Sequence, residues 1–210
     1  MGTMGQSGTG PGAIAPDGSP VEYFARLRTR GEPEIVHGAV AANAGILELG
    51  AGAGRVTNAL VALGHPVVAV DESAEMLAHV QAETVCASIE DLALDRLFDV
   101  VLLGSFLVNS ADRELRRRFL ATCRAHVRPD GCVLIQRNVP GRRPPADAQV
   151  ADDGFVATLR YRLGEQTWTH TITNHDVDDE ELVSCLREVG LAIDAVLTED
   201  RTWIRAVPLT

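Results

Sequence analysis

The sequence predicts an α/β domain, a doubly wound and mostly parallel sheet with an inserted β-hairpin. Between Gly45 and Val139, short apolar runs alternate with amphipathic stretches at the spacing of βαβ units. One of these runs, Ile46-Leu47-Glu48-Leu49, passes straight into Gly50-Ala51-Gly52-Ala53-Gly54 and then into helix formers, the pattern of a buried strand, a tight turn and a helix start. Two strictly alternating stretches, residues 155–163 and 166–173, flank Gly164-Glu165, a two-residue hairpin turn with glycine first.

The elements follow in order. Residues 1–20 are rich in Gly, Ser, Thr and Pro and are expected to be disordered. Helices are expected over residues 21–28 and 32–42, and strands and helices then alternate. The first strand is residues 46–49, its helix 55–63, and the second strand 67–70. Ser73 caps a helix whose apolar side carries Met76, Leu77 and Val80. Residues 84–87 form the third strand, and residues 98–103 the fourth, apolar on both faces as a central parallel strand should be. Leu115, Phe119, Leu120, Cys123 and Val127 recur at three- and four-residue spacing on a helix over 113–127, whose arginine run is its solvated face. Arg128-Pro129-Asp130-Gly131 is a turn before a fifth strand at 132–137. A Pro- and Arg-rich loop (140–145), a polar stretch and the hairpin come next, then a helix at 176–190 and strands at 191–197 and 202–207. The chain thus divides into a tail (1–20) and a single domain (21–210): helices (21–44), core (45–139), loop and hairpin (140–176), and closing helix and strands (177–210).

Composition narrows the function. The 210 residues, 46% hydrophobic and 23% charged, suit one well-cored domain. No apolar run approaches the ~20 residues of a membrane span, the start lacks a signal peptide's basic and apolar regions, and Gln6 breaks the myristoylation pattern. No membrane association and a cytoplasmic location are expected. All nineteen basic residues are Arg, and a net charge of -10 argues against a sequence-independent grip on nucleic acid, which needs a basic face. Cys86, Cys123, Cys132 and Cys185 lie in apolar segments without metal-type spacing and are expected to be buried free thiols, with no metal bound.

The glycine turn is where a ligand belongs, because glycines accept positive φ and let another molecule approach bare backbone. A dinucleotide fingerprint would need a glycine where Arg55 stands. The pattern is instead E-x-G-x-G-x-G, which resembles motif I of the class I S-adenosylmethionine-dependent methyltransferases. Asp71, at the carboxyl end of the second strand, can accept from both hydroxyls of a ribose, and the resemblance extends over residues 45–139. It implies a seven-stranded sheet whose sixth and seventh strands are antiparallel. It also implies S-adenosylmethionine as cofactor, leaving as S-adenosylhomocysteine. Glu48, Gly50, Ala51, Gly52 and Gly54 would then form the methionine and ribose turn. Asp71, with Glu72 and Met76 nearby, would hold the ribose; Ser88, Ile89, Glu90 and Asp91 would frame the adenine; Gly104 and Ser105 would close the fourth strand's end.

Methyl transfer is an in-line displacement at a sulfonium carbon, and most of its barrier reduction can come from holding the nucleophile close and aligned. The acceptor site is therefore less legible. By the resemblance it lies beyond the carboxyl ends of the fourth and fifth strands, which offer Phe106, Asn109, Arg137 and Asn138. Tyr161 and Trp168 of the hairpin would roof it, with Tyr23, Phe24 and Arg28 of the N-terminal helices as a lid. His170 and His175 are the candidate general bases, being the side chains whose ordinary pKa lies nearest neutrality. No Asn/Asp-Pro-Pro-Tyr follows the fourth strand, no Pro-Cys occurs, and no acids stand where metal-dependent catechol-type enzymes place them. A small organic acceptor is expected, in specialised metabolism, acted on by a monomer or homodimer. The alternatives are a protein of this fold that binds the cofactor without transferring methyl, as a cyclase or partner subunit, and a nicotinamide-dependent oxidoreductase.

Overall fold

The computed structural model describes residues 7–141, 144–151 and 153–209. Met1 to Gln6, and Arg142 and Arg143 of the loop, lie outside the described residues. The elements are β1 (Ser7–Thr9), α1 (Val21–Phe24), α2 (Glu32–Ala39), β2 (Ile46–Leu49), α3 (Thr57–Ala62), β3 (Val67–Asp71), α4 (Ala74–Leu77) and β4 (Glu83–Cys86). They continue as β5 (Phe98–Leu103), α5 (Arg113–His126), β6 (Val127–Gln136), β7 (Gln149–Ala151), β8 (Gly154–Leu163), β9 (Gln166–His175), α6 (Asp179–Glu188), β10 (Leu191–Val196) and β11 (Trp203–Pro208).

Seven strands form one sheet in the order β10-β11-β6-β5-β2-β3-β4, all parallel but β11, which runs antiparallel to both β6 and β10, so of the two closing strands expected to be antiparallel only the last is reversed. Pairing runs outward from β2 in both directions, so the order reverses between β2 and β5, and their carboxyl ends open the crevice where such sheets bind ligands. The central strands are buried on both faces because helices cover both. Leu47, Leu49, Val101, Leu103, Val133 and Ile135 meet α5 and α6 on one side. Ile46, Val100, Leu102, Cys132 and Leu134 meet Val36 of α2 and Leu60 of α3 on the other. The Arg128–Gly131 turn is an outward excursion within β6, where pairing jumps from Phe98↔Val127 to Val100↔Cys132.

The hairpin has the expected turn, with Leu163 opposite Gln166 and Gly164 at φ 58°. It belongs to a second sheet of four antiparallel strands, β1-β9-β8-β7. Here the expectation of a disordered N-terminus is corrected. Ser7–Thr9 pairs with β9, Trp168 Nε1 donates to the Pro11 carbonyl at 2.7 Å, and Ala15 and Ser19 are buried. A strand is held by backbone hydrogen bonds, so a segment without large apolar side chains can still be ordered when a neighbouring edge is free. Cys86 is also corrected: it is exposed on β4, the sheet's edge, while Cys123, Cys132 and Cys185 are buried as expected.

Trp168 is fully buried, and a Cβ at Gly10 would lie 2.2 Å from its ring. Trp168→Ala therefore should lower stability by about 3 kcal/mol and expose residues 7–20 to protease. A urea midpoint and cleavage rate both equal to wild type would show that the segment is not held there.

Candidate active site

The turn after β2 is built by three left-handed glycines: Gly50 (φ 69°), Gly52 (φ 54°) and Gly54 (φ 77°). Their surroundings differ. A Cβ on Gly50 would lie 2.5 Å from Leu107, and one on Gly54 would crowd Val80 and Asn58. Beyond Gly52 there is no atom within 4 Å, and the same holds at Gly104 after β5. The bare backbone at Gly52 and Gly104 thus borders open space at the switch point, while Gly50 and Gly54 are small because the protein itself is close.

Asp71 secures this arrangement. One carboxylate oxygen accepts from Gly52 N–H at 2.8 Å and the other from Ser73 N–H at 2.9 Å. Each oxygen keeps a further lone pair for a ribose hydroxyl. Burial raises the Asp71 pKa, opposed by these backbone donors. Ser73 also caps α4, accepting from Met76 N–H. Glu48 is buried and takes a 2.5 Å hydrogen bond from Thr57 Oγ1. Burial pushes its pKa up to about 7 against that bond and against nearby Arg55, which pairs with Glu32 of α2 at 2.6 Å. Of these partners, Thr57 and Leu107 were not among the expected site residues. Thr57 is legible in hindsight, because Glu48 shares the strand face of Ile46, which packs on α3.

Elsewhere the candidates divide. Ser88 Oγ donates to Asp91 Oδ2 at 2.8 Å, and Ile89 is buried in the core with its carbonyl held by Thr122. The Glu72 pKa is raised by desolvation and then by Asp17, Asp71 and Glu90, which places four acids around this side of the crevice. Met76 packs with Ala53, Ala15, Val21 and Phe24, so the N-terminal segment lies directly on the glycine turn. Ser105 and Phe106 adopt left-handed conformations (φ 52° and 60°), a strain of about 1–3 kcal/mol each, and Ser105 N–H is tied to Gln136 Oε1 at 2.9 Å.

Tyr23 stacks on Tyr161 with centroids 4.4 Å apart, and Phe24 meets Tyr161 edge-on at 5.9 Å, joining lid and hairpin in one aromatic cluster. Arg28 is exposed beyond α1. His170 is buried in the cluster, with Nε2 3.2 Å from the Asp17 carbonyl and Nδ1 3.4 Å from Tyr161 Oη. A carbonyl needs a donor, so Nε2 carries the proton and Nδ1 accepts from the phenol; burial lowers the ring's pKa. Both nitrogens are engaged, which makes His170 a tie between hairpin and N-terminal segment. His175 pairs with Glu181 of α6 at 2.9 Å, at the hairpin's root. Arg137 is fully buried, donating to the Val177 and Arg201 carbonyls and pairing with Asp179. Asn109 donates to the carbonyls of Asn138 and His175, and Asn138 Nδ2 to Asn174 Oδ1, so these residues fasten the hairpin to the sheet. The structure thus gives Arg137, Asn109 and Asn138 structural hydrogen bonds where acceptor contacts were expected, because their side chains turn back toward α6 and the hairpin root.

Residues 47–135 match the family described as "Methyltransferase domain". Residues 47–135 thus carry a methyltransferase domain of the S-adenosylmethionine-dependent kind. It is 26% identical over 167 residues to the cypemycin N-terminal methyltransferase of a Streptomyces species, covering 75% of this chain and 65% of that one. It is 30% identical over 95 residues to a ubiquinone biosynthesis O-methyltransferase of Nitrobacter winogradskyi, covering 41% and 35%. The match thus spans less than two thirds of either curated relative. Among solved structures, an S-adenosylmethionine-dependent methyltransferase from Clostridium acetobutylicum shares the fold with a TM-score of 0.71 at 15% identity, over 89% of this chain and 94% of that one. CalS10, an amino pentose methyltransferase from Micromonospora echinaspora, does so with a TM-score of 0.66 at 18% identity, over 89% and 94%.

Glu48 gives a pH signature. Its folded pKa of about 7 lies above the ordinary value of 4.5, so the stability it contributes is fully present below pH 4.5 and is lost as pH rises through 7. Glu48→Gln, which does not titrate, is expected to raise the melting temperature of the cofactor-free protein at pH 8 and to leave it unchanged near pH 4.5. Differential scanning calorimetry at the two pH values checks this; an equal effect at both would contradict it.

Proposed function

We propose that this protein transfers the methyl group of S-adenosylmethionine to a small organic metabolite, in specialised metabolism and in the cytoplasm, as a single-domain monomer or homodimer. The observation that carries this reading is the open backbone at Gly52 and Gly104 beside the Asp71 carboxylate, at the sheet's switch point. Supporting it, a carboxylate at Glu48 suits a cationic cofactor, whereas it would repel a diphosphate. Among the described residues no helix is long and apolar enough to cross a membrane, and no group of three or more His, Cys, Asp or Glu could hold a metal. The two relatives named for methylation of an N-terminus and of an oxygen leave the accepting atom open between N and O.

In this reading the chain's residues act by placement. Asp71 fixes the ribose, Gly52 and Gly104 let the cofactor lie against backbone, and the aromatic cluster of Tyr23, Phe24 and Tyr161 excludes water above it. Held by Asp71, Gly52 and Gly104, S-adenosylmethionine would supply a sulfonium methyl group with a neutral thioether as leaving group, and these residues would need only to align it with the acceptor's lone pair, the acceptor's proton passing to solvent. No proton need reach the leaving group, so alignment supplies most of the rate.

Two outcomes test this. With methyl-labelled S-adenosylmethionine and a fractionated extract of the source organism, label should appear in the small-molecule fraction; label only in protein or RNA would overturn the acceptor class. Gly52→Val places a β-branched side chain at φ 54° and in the open space, and is expected to weaken S-adenosylhomocysteine binding at least a hundredfold in calorimetry. Wild-type affinity in that variant would remove the turn from the site.

A further inference from the structure

A cavity of about 650 Å³ runs along β8, lined by Pro145, Ala146, Asp147, Ala157, Leu159 and Arg160. Its wall is a strand edge. In a two-residue hairpin the residues flanking the turn form a hydrogen-bonded pair, so Leu163, Tyr161, Leu159 and Ala157 direct their backbone groups to β9. Thr158, Arg160 and Arg162 therefore direct theirs the other way. β7 meets that edge only at residues 154–156. Continued, its register would set Asp147 opposite Thr158 and Pro145 opposite Arg160, but the chain leaves it in a turn where Ala148 N–H donates to the Pro145 carbonyl at 3.0 Å. Pro145 has no N–H to offer a ladder in any case. Among the described residues, no strand covers the backbone of Thr158 and Arg160, and the cavity occupies the missing strand's place.

An uncovered edge with donor and acceptor repeated every second residue, about 7 Å apart, matches an extended chain of amides. The same strand carries Tyr161, whose side chain shares a face with Ala157 and Leu159, stacks on Tyr23 and meets Phe24, which packs on Met76 and Ala53 at the glycine turn. We propose that this slot binds the methyl acceptor, and that the acceptor carries a peptide backbone which adds to β8 as a strand. The proposal rests on the methyltransferase reading and narrows its acceptor to a peptidic metabolite.

Proline substitution gives a selective test. Thr158→Pro and Arg160→Pro each delete one outward N–H at an edge that tolerates proline, while the ladder to β9 through the odd-numbered residues remains. Thr158→Val and Arg160→Ala change the same side chains and keep the N–H. The probe is a fluorescein-labelled mixture of extended tetrapeptides, read by fluorescence polarisation on the full chain saturated with S-adenosylhomocysteine, beside analogues with one amide replaced by an ester. Saturable binding is expected, about tenfold weaker in each proline variant and in the ester analogues, within threefold of wild type in the side-chain controls, and with S-adenosylhomocysteine affinity unchanged throughout. Absence of peptide binding, or equal affinity in the proline variants, would overturn the proposal. A wild-type dimer in sedimentation that Thr158→Pro dissociates would also overturn it, by giving the edge to a second copy. Peptide binding with no methyl transfer to any acceptor would keep the slot and refute the activity, whereas transfer to amino sugars or catechols without peptide binding would do the reverse.

Discussion

The site depends on one carboxylate joining two loops. Asp71 ends β3, and by accepting from Gly52 it holds the turn after β2 while by accepting from Ser73 it holds the start of α4. Parallel pairing of β2 with β3 brings these loops side by side, Leu49 opposite Val70. The charge-assisted bonds then fix the turn in the left-handed geometry that its glycines permit. The acid at the end of β3 thus shapes the backbone around it, ordering both loops at once.

The second sheet is bound to this centre through the N-terminal segment. Residues 7–25 run between β9 and the glycine turn, paired to one by backbone bonds and packed on the other through Ala15, Val21 and Phe24. His170 and Trp168 read the same segment from the hairpin, each through a main-chain carbonyl. A neutral His170 suits this role: protonating Nδ1 would put a donor where the Tyr161 hydroxyl donates, and burial opposes the charge. The N-terminal segment, α1 and the hairpin are therefore packed together against the glycine turn.

The parts of the fold legible in the sequence are those where burial enforces pattern. Ile46–Leu49 and Phe98–Leu103 match their expected bounds because a central parallel strand is covered on both faces and a glycine ends each run. The glycine turn and Asp71 were legible because positive φ and an acid at a strand's end each demand a residue type. Residues 7–20 were misread because their order comes from backbone pairing with a strand some 160 positions away, which composition does not report. The first helix ends at Phe24, short of 28, as the chain turns through bonds from Arg26 to Tyr23 and Leu27 to Phe24. Arg137, Asn138 and His175 were placed correctly along the chain, but which way their side chains face is set by α6 and the hairpin root.

The seat proposed for the cofactor, bare backbone between β2, β3 and β5, is read out by amide NMR of the isotopically labelled protein titrated with S-adenosylhomocysteine. Saturable shifts are expected at Gly52, Ser73 and Gly104, with Gly45 and Gly131 at the sheet's opposite end unmoved. Saturable shifts that bypass Gly52 and Ser73 would place the cofactor elsewhere and contradict this proposal.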